Sequence, residues 1–206
     1  MKLHAETISD SMALIAKSVY EKLDSRYYLA GGTALALLIG HRKSIDLDYF
    51  INDSIDTERL KSQLGEIFGA FEVVFQEKDT LWVNIGGVKV SFIARRVPLI
   101  EAVIDQENFR LASLKDITAM KLAAICMRDE YKDYFDLACL SSVTDVRSWN
   151  SWWQELSPNS DPISWMVALS AVDKVLLVPL DVLEGFSKVD TTETIKKATR
   201  EIAKFA

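Results

Sequence analysis

Two short segments of the chain combine residue types that suit phosphate and metal chemistry. In the first, Gly31 and Gly32 precede a helix-favouring run, and glycines placed there let backbone N–H groups approach a phosphate closely. The second carries Asp46 and Asp48, which point to one face if residues 45–50 form a strand. Two such carboxylates repel each other unless a cation lies between them, and carboxylate and phosphate oxygens are usual ligands of Mg²⁺. Together the segments predict a phosphate cradle beside a metal-binding pair.

Each segment also has a purely structural interpretation. Paired glycines before a helix are often only a tight turn, and an Asp-x-Asp strand is often the solvated face of an edge strand. The same holds for His41, Arg42 and Lys43, just ahead of the Asp strand. They suit binding of β- and γ-phosphates, but cations are also favoured at the end of any helix by its dipole.

The periodicity of apolar residues defines the elements that must position these side chains. Three- and four-residue spacing predicts helices in the first half of the chain at 6–24, 33–39 and 57–68, with Gly40 ending the second. Alternating or apolar runs predict strands at 27–30, 45–50, 71–76, 80–85 and 88–94. Gly86-Gly87 is the two-residue turn between the last two strands, and Pro98 is expected to end the β-rich part.

From Ser113 onward the pattern is helical. Helices are expected from Ser113 to about residue 125 and at 131–140, 145–156, 163–176 and 191–205. The predicted fold class is therefore α+β, a mixed sheet flanked by helices and followed by a helical lobe. No flexible linker marks the change, so an α/β core at 1–112 and a helical lobe at 113–206 are expected to pack together.

Composition narrows the function classes. The chain has 206 residues and a formal net charge of −6, which argues against a protein that coats nucleic acid but leaves room for one basic pocket. Its two cysteines, Cys126 and Cys139, lie in apolar helical patterns and are expected to be reduced core residues. The N-terminal residues lack the layout of a signal peptide, and no apolar run is long enough to span a membrane. A cytoplasmic protein without a membrane partner is expected.

Several blocks of the sequence, in order and spacing, resemble one known family. The blocks are Tyr28-Leu-Ala-Gly-Gly-Thr-Ala-Leu-Ala-Leu, Gly40-His-Arg, Ser44-Ile-Asp-Leu-Asp-Tyr-Phe, Ser113-Leu-Lys-Asp-Ile, Met120-Lys-Leu-Ala-Ala and Lys132-Asp-Tyr-Phe-Asp-Leu. They are similar to nucleotidyltransferases of the AbiEii/AbiGii toxin type, within the superfamily that includes DNA polymerase β. The similarity covers roughly residues 25–140 and is loose in the last third of the chain.

The resemblance implies Mg²⁺-dependent transfer of a nucleoside monophosphate from a nucleoside triphosphate to an acceptor hydroxyl. It makes Asp46 and Asp48 the catalytic metal ligands, for Mg²⁺ or Mn²⁺. The nucleotide-binding residues it implies are Gly31, Gly32, Thr33, Arg42, Lys43 and Lys132. Such proteins commonly act as the toxin of a toxin–antitoxin or phage-defence pair, and transfer RNA is the leading acceptor. A cognate antitoxin is then an expected partner.

A second block adds three candidate catalytic residues, Lys121, Asp133 and Asp136. Lys121 is the one charge on an otherwise apolar helical stretch, so it must snorkel, pair or point into a polar cleft. In the resembling family this lysine contacts nucleotide phosphate. Asp133 and Asp136 share a helix face, and either suits a general base or a distal metal ligand. The alternative is an intrahelical ion-pair network of little energetic value.

One position departs from the wider superfamily. Ser91 lies on the strand where polymerase-like members carry a third carboxylate, which often activates the acceptor hydroxyl. Either Asp133 or Asp136 takes that role, or only one metal binds well, or activity is weak or absent. A nucleotide-binding module without catalysis is therefore an alternative function, as is transfer onto a protein or a small molecule such as an aminoglycoside.

Overall fold

The structure is a computed structural model that describes residues 2–204, apart from the side chain of residue 162. The helices of this part of the chain are α1 (Asp10–Lys22), α2 (Gly31–Ile39), α3 (Thr57–Phe68), α4 (Leu114–Met127), α5 (Tyr131–Val143), α6 (Trp149–Leu156), α7 (Pro162–Ser170) and α8 (Thr191–Ile202). The strands are β1 (Tyr28–Leu29), β2 (Asp46–Ile51), β3 (Glu72–Glu77), β4 (Thr80–Ile85), β5 (Val88–Ala94), β6 (Ile104–Gln106) and β7 (Phe109–Leu111).

All seven strands form one mixed sheet in the order β3-β4-β5-β2-β1-β7-β6. The pairs β2/β5 and β1/β7 are parallel, and the other neighbours are antiparallel. The strand β2 lies at the centre, and its residues alternate between a buried face and a half-buried face. This mixed sheet with flanking helices confirms the predicted α+β class.

Most local predictions in the first half of the chain match the structure. The helix α3 has the predicted ends, because Asp56 caps its first turn by accepting from the N–H of Arg59. The turn between β4 and β5 is made by Gly86 and Gly87, both with positive φ, as the two-residue hairpin requires. The first helix begins at Asp10 instead of residue 6, because Ser9 is its N-cap.

The prediction that Pro98 ends the β-rich part is wrong. Two further strands, β6 and β7, follow it and form a hairpin at the edge of the sheet. Their turn residues, Glu107 and Asn108, both have positive φ, which glutamate rarely adopts. Because each strand has only three residues, neither carries enough alternation to be found from the sequence.

The helical half packs directly onto the sheet half. Helices α4 and α5 contact α2, and one cluster of buried apolar side chains includes residues from both halves of the chain. The division at residue 112 stays a prediction. The ends of the later helices differ by a few residues, and residue 205 of the predicted last helix lies outside the described part.

The prediction that both cysteines are core residues is correct for Cys139 and wrong for Cys126. Cys139 is buried, whereas Cys126 is exposed near the end of α4, and both are free thiols. Within residues 2–204, every helix is too short or too polar to cross a lipid bilayer.

Candidate active site

The strand β2 places Asp46 and Asp48 on the floor of a cleft of about 770 Å³. Between and beside them, Leu47, Tyr49 and Ile51 point the other way and are buried in the core. Burial of that apolar face holds the register of the strand, since a slip by one residue would move the carboxylates into the core. The alternation that predicted the strand therefore also fixes where its two carboxylates point.

The paired glycines let other side chains approach the start of α2. Gly31 has a φ of +67°, and a Cβ there would lie 3.3 Å from Oδ2 of Asp48. A Cβ on Gly32 would lie 2.4 Å from Nη2 of Arg42, which is closer than real Cβ atoms come. Gly31 and Gly32 line the cleft, and no side chain caps the first turn of α2. The N–H groups of this turn therefore have no side-chain acceptor. Glycine is needed here chiefly to admit Asp48 and Arg42.

Asp48 occupies an unfavourable position for a negative charge. Burial raises its pKa, and the neighbouring charge of Asp46 raises it further, whereas a hydrogen bond from Ser91 lowers it. Ser91 lies directly opposite Asp48 in the β2/β5 register, as expected for the site of the third carboxylate. A cation beside Asp48 would remove most of this penalty.

Asp136 is the centre of a buried network of cations. It is fully buried and accepts hydrogen bonds from Nε2 of His41 at 2.8 Å and from Nε and Nη2 of Arg42 at 2.7 and 3.0 Å. Nζ of Lys121 forms an ion pair with Oδ2 of Asp136, the oxygen that also accepts from Nη2 of Arg42. Burial alone would raise the pKa of Asp136, but Lys121 and Arg42 outweigh it and hold that pKa well below its usual range.

Asp133 holds the other side of Lys121. Its Oδ1 accepts from Nζ of Lys121 at 2.7 Å, and its Oδ2 accepts from Nε of Arg128 at 2.8 Å. Burial lowers the pKa of Lys121, but Asp136 and Asp133 outweigh burial and raise it, so the lysine stays charged although only 4% exposed. Burial raises the pKa of Asp133, but Lys121 and Arg128 outweigh it and hold the pKa low.

The structure brings most of the predicted site residues to the cleft. Its lining includes Gly31, Gly32, Arg42, Lys43, Asp46, Asp48, Lys121 and Lys132. Lys43 and Lys132 lie at its rim, where they pair with Asp181 at 3.3 Å and Glu130 at 3.0 Å.

Four predicted residues lie behind the cleft wall instead, and one of them, His41, is fully buried and donates to Asp136. Asp133 and Asp136 are fully buried and hold Lys121, Arg42 and Arg128, so neither carboxylate faces the cleft as a general base would. The hydroxyl of Thr33 is also buried: it donates to the carbonyl of Asp46 and shares a hydrogen bond with Ser44. Thr33 therefore ties α2 to the start of β2.

Other parts of the cleft were not predicted from the sequence. Trp82 and Lys89 extend its floor, and residues 179–181 form part of a wall. Trp82 lies opposite Ser91 across the β4/β5 hairpin, so counting back from the Gly86-Gly87 turn would have found it. The segment 179–181 is distant in sequence and irregular, and no local pattern indicates it.

The carboxylate pair fits a divalent cation of the Mg²⁺ type. Among the described residues, no group of three or more His, Cys, Asp or Glu side chains is placed to hold a metal ion. Mg²⁺ commonly binds through one or two carboxylates and completes its shell with water and substrate phosphates. Asp46 and Asp48, side by side on an open cleft floor, supply such a donor set.

Comparison with known proteins identifies a family and one relative by sequence. The family model for the nucleotidyl transferase AbiEii toxin of type IV TA systems matches residues 14–149. A protein of Aquifex aeolicus (strain VF5) is 37% identical over 115 residues, which are 54% of this chain and 55% of that relative. The match thus spans about half the length of the relative.

Two solved structures share the fold over nearly the whole chain. MenT4, a nucleotidyltransferase toxin of Mycobacterium tuberculosis H37Rv, superposes with a TM-score of 0.60 at 15% identity, covering 94% of this chain and 82% of that one. JHP933 from Helicobacter pylori gives a TM-score of 0.53 at 19% identity, covering 96% and 95%. At such identities the likeness concerns the fold alone. Because the family model covers more than half of the sequence, this chain belongs to the nucleotidyl transferase AbiEii toxin family.

Proposed function

We propose that this protein transfers a nucleoside monophosphate from a nucleoside triphosphate to an acceptor hydroxyl, favouring the end of a tRNA or another RNA. The observation that carries the proposal is one cleft in which Asp46 and Asp48 face a group of fixed cations. Those cations, Arg42, Lys121 and Arg128, are held by buried carboxylates. Paired carboxylates suit a metal, and fixed cations suit the charge of a triphosphate.

Asp46 and Asp48 would hold Mg²⁺, with Mn²⁺ as a substitute. When bound, the metal supplies charge neutralisation at the triphosphate and lowers the pKa of the acceptor hydroxyl. The two carboxylates must be ionised to do this, and the raised pKa of Asp48 makes its ionisation depend on the cation.

The start of α2 and the nearby cations would bind and orient the triphosphate. Backbone N–H groups at Gly31 and Gly32 are available to phosphate oxygens, and the helix dipole favours negative charge there. Arg42 and Lys121 are fixed in place by Asp136, so they lose little conformational freedom on binding. Lys43 and Lys132 at the rim add exposed charge.

Asp133 and Asp136 act in this proposal as positioning residues for the cations, and Ser91 gives no base at neutral pH. Asp46 and Asp48 are therefore the carboxylates of the cleft floor that the acceptor hydroxyl would approach. An acceptor proton leaves most easily toward one of these two groups.

Incubation with each of the four labelled nucleoside triphosphates, Mg²⁺ and total RNA tests the proposal. The native protein is expected to label RNA, and the D46N/D48N double variant is expected to label none. Asp53→Asn is the matched control, because Asp53 is an exposed carboxylate that follows β2 and pairs with Arg26. Equal labelling by the native protein and the double variant would contradict the proposal.

The family also motivates a biological role as the toxin of a toxin–antitoxin or phage-defence pair in the cytoplasm. Expression of the native protein is then expected to arrest growth, and the D46N/D48N variant is expected to be tolerated. Relief of the arrest by a neighbouring gene would identify the cognate antitoxin.

A second candidate function is nucleotide binding without transfer. It is favoured by Ser91, which takes the place of a third carboxylate and whose hydroxyl donates a hydrogen bond to Asp48. Calorimetry would then detect triphosphate binding that persists without Mg²⁺, and an acceptor screen with RNA, proteins and aminoglycosides would detect no product. Labelling of a protein or an aminoglycoside instead of RNA would assign a different acceptor to the same cleft.

A further inference from the structure

A row of side chains crosses the cleft floor from the carboxylates toward the edge of the sheet. In register, Asp48 pairs with Ser91, and Ser91 pairs with Trp82. Trp82 is thus two strands away from Asp48, or about 10 Å at the usual strand spacing. The N-terminus of α2 lies on the other side of Asp48, since β1 and α2 follow on from the opposite edge of β2.

Trp82 carries a cation over its ring. Nζ of Lys89 lies 4.5 Å from the ring centroid, and the ring of Phe75 supports Trp82 at a centroid distance of 4.8 Å. Lys89 is exposed and, within residues 2–204, forms neither an ion pair nor a side-chain hydrogen bond. Its backbone lies opposite Asp46 in the β2/β5 register, and its charge lowers the pKa of Asp48, so the ammonium group lies between the ring and the carboxylates and can move to an anion beside it.

We propose that Trp82 and Lys89 form the acceptor subsite, where Trp82 stacks on the base of an unpaired terminal nucleotide of RNA and Lys89 pairs with an adjacent phosphate. This inference rests on the proposed transfer to an RNA end. Aromatic rings interleaved with cations are the usual means of holding single-stranded nucleic acid without reading its sequence. The base displaces the ammonium group from the ring face, and the phosphate receives it.

The position of Trp82 assigns the subsite to the acceptor instead of the nucleoside triphosphate, and Lys89, opposite Asp46, lies between Trp82 and the carboxylates. Arg42 approaches Gly32 at the start of α2 and shares Asp136 with Lys121, so these cations lie on the α2 side of the carboxylates. Trp82 lies beyond Ser91 on the other side. A hydroxyl and a triphosphate that react at Asp46 and Asp48 must approach from different sides of the pair. A distance of about two strands between Trp82 and Asp48 suits the terminal nucleotide itself, with its base on Trp82 and its ribose hydroxyl directed toward the carboxylates.

Charge separates RNA from a small cationic acceptor. A polycationic aminosugar would meet the ammonium group of Lys89 and would offer no aromatic face to Trp82. An RNA end offers both a base to stack and a phosphate to pair. The observations therefore favour an unpaired RNA end at this subsite.

The direct test is the binding of a fluorophore-labelled single-stranded RNA oligonucleotide, measured by anisotropy without nucleoside triphosphate. Trp82→Leu is expected to weaken binding about 5- to 150-fold, the range that corresponds to removal of one base-stacking ring. Trp82→Phe is expected to keep most of the affinity. Tyr20→Leu is the matched control, because Arg110 lies 4.5 Å from the Tyr20 ring in an equivalent pair away from the cleft.

Lys89→Met gives a second readout that does not depend on the fold of a Trp82 variant. The slope of log affinity against log salt is expected to become shallower by about 0.7, the value for one phosphate contact in a single strand. In steady-state transfer, Trp82→Leu is expected to raise the KM for RNA and to leave the KM for the nucleoside triphosphate unchanged.

The outcomes separate this inference from the proposed function. RNA binding that depends on Trp82 and Lys89, without nucleotide transfer, supports the subsite and contradicts the transferase activity. Transfer to RNA that is unchanged in Trp82→Leu and Lys89→Met overturns the subsite alone. Absence of RNA binding by the native protein, or equal loss of aminosugar binding in Trp82→Leu, also overturns it.

Discussion

Replacement of Asp136 by asparagine tests whether this carboxylate positions the cleft cations or acts as a base. Asp136 is fully buried and neutralises Arg42 and Lys121, and it also accepts from His41. Asparagine keeps the size of the side chain but removes its charge, so two cations lose their common partner. Lys121 keeps its ion pair with Asp133, whereas Arg42 loses its ion pair with Asp136 and keeps neutral acceptors such as the carbonyl of Lys43 at 3.0 Å.

The expected loss of stability is large. Removing one partner of a buried ion pair typically destabilises a protein by about 3–5 kcal/mol, because the remaining charge stays buried without compensation. For a chain of this length, about 1 kcal/mol lowers Tm by roughly 2–4 °C, so the variant is expected to unfold about 6–20 °C below the native protein. A base that served only the chemistry would leave Tm unchanged.

The effect should also depend on pH in a defined direction. Since the folded pKa of Asp136 lies below its unfolded value, its ionised form stabilises the protein above the unfolded pKa, and this stabilisation is lost as pH falls through the folded pKa. The difference in Tm between native protein and variant should therefore be full at neutral pH and shrink below about pH 4.

Thermal unfolding followed by circular dichroism, at several pH values, measures both effects. Glu21→Gln is the matched control, since Glu21 forms an exposed ion pair with Lys17 at 3.2 Å and its loss should change Tm little. A Tm for Asp136→Asn within about 2 °C of the native value, together with lost transfer activity, would refute the positioning role. That result would support the interpretation of Asp136 as a general base.

Two further variants test the cleft floor. Asp48→Asn is expected to raise Tm at neutral pH without Mg²⁺, because the folded pKa of Asp48 is raised and its ionisation opposes folding as pH rises above the unfolded pKa. Mg²⁺ should then raise the Tm of the native protein but not of this variant; a Tm below the native value would contradict the argument. Gly32→Ala places a methyl group 2.4 Å from Nη2 of Arg42. Since Asp136 holds that guanidinium, the variant is expected to lose about 1–3 kcal/mol of stability and to bind the triphosphate more weakly, as calorimetry can measure against Gly65→Ala, where a methyl group meets open space.

Local patterns in the sequence predicted the parts of the fold that depend on local physics. The alternation around Asp46 and Asp48, the ends of α3 and the Gly86-Gly87 hairpin all follow from side-chain periodicity, capping or turn chemistry. The hairpin of β6 and β7 was missed because its turn uses Glu107 and Asn108 instead of glycine. Tertiary context stabilises that turn, and a short sequence window does not contain it.

The candidate site was predictable by residue but not by role. Asp136 and Arg42 are 94 positions apart, so no spacing indicates that one holds the other. Thr33 has the residue type expected of a phosphate ligand, yet its hydroxyl is used inside the fold. Residue types show which chemistry is available, whereas only packing decides which groups face the cleft.

The irregular segment 175–183 supplies part of the cleft wall but none of the carboxylates on the cleft floor. It is attached through the carbonyl of Asp181, which accepts from the N–H of Lys43, and through the N–H of Leu183, which donates to the carbonyl of His41. Residues 179–181 wall the cleft, yet the family match ends at residue 149. The exposed side chains of Pro179 and Asp181 can therefore be exchanged while these backbone attachments stay, although Asp181 also pairs with Lys43. Replacement of these side chains is therefore expected to change the shape of the opening while Asp46 and Asp48 stay in place.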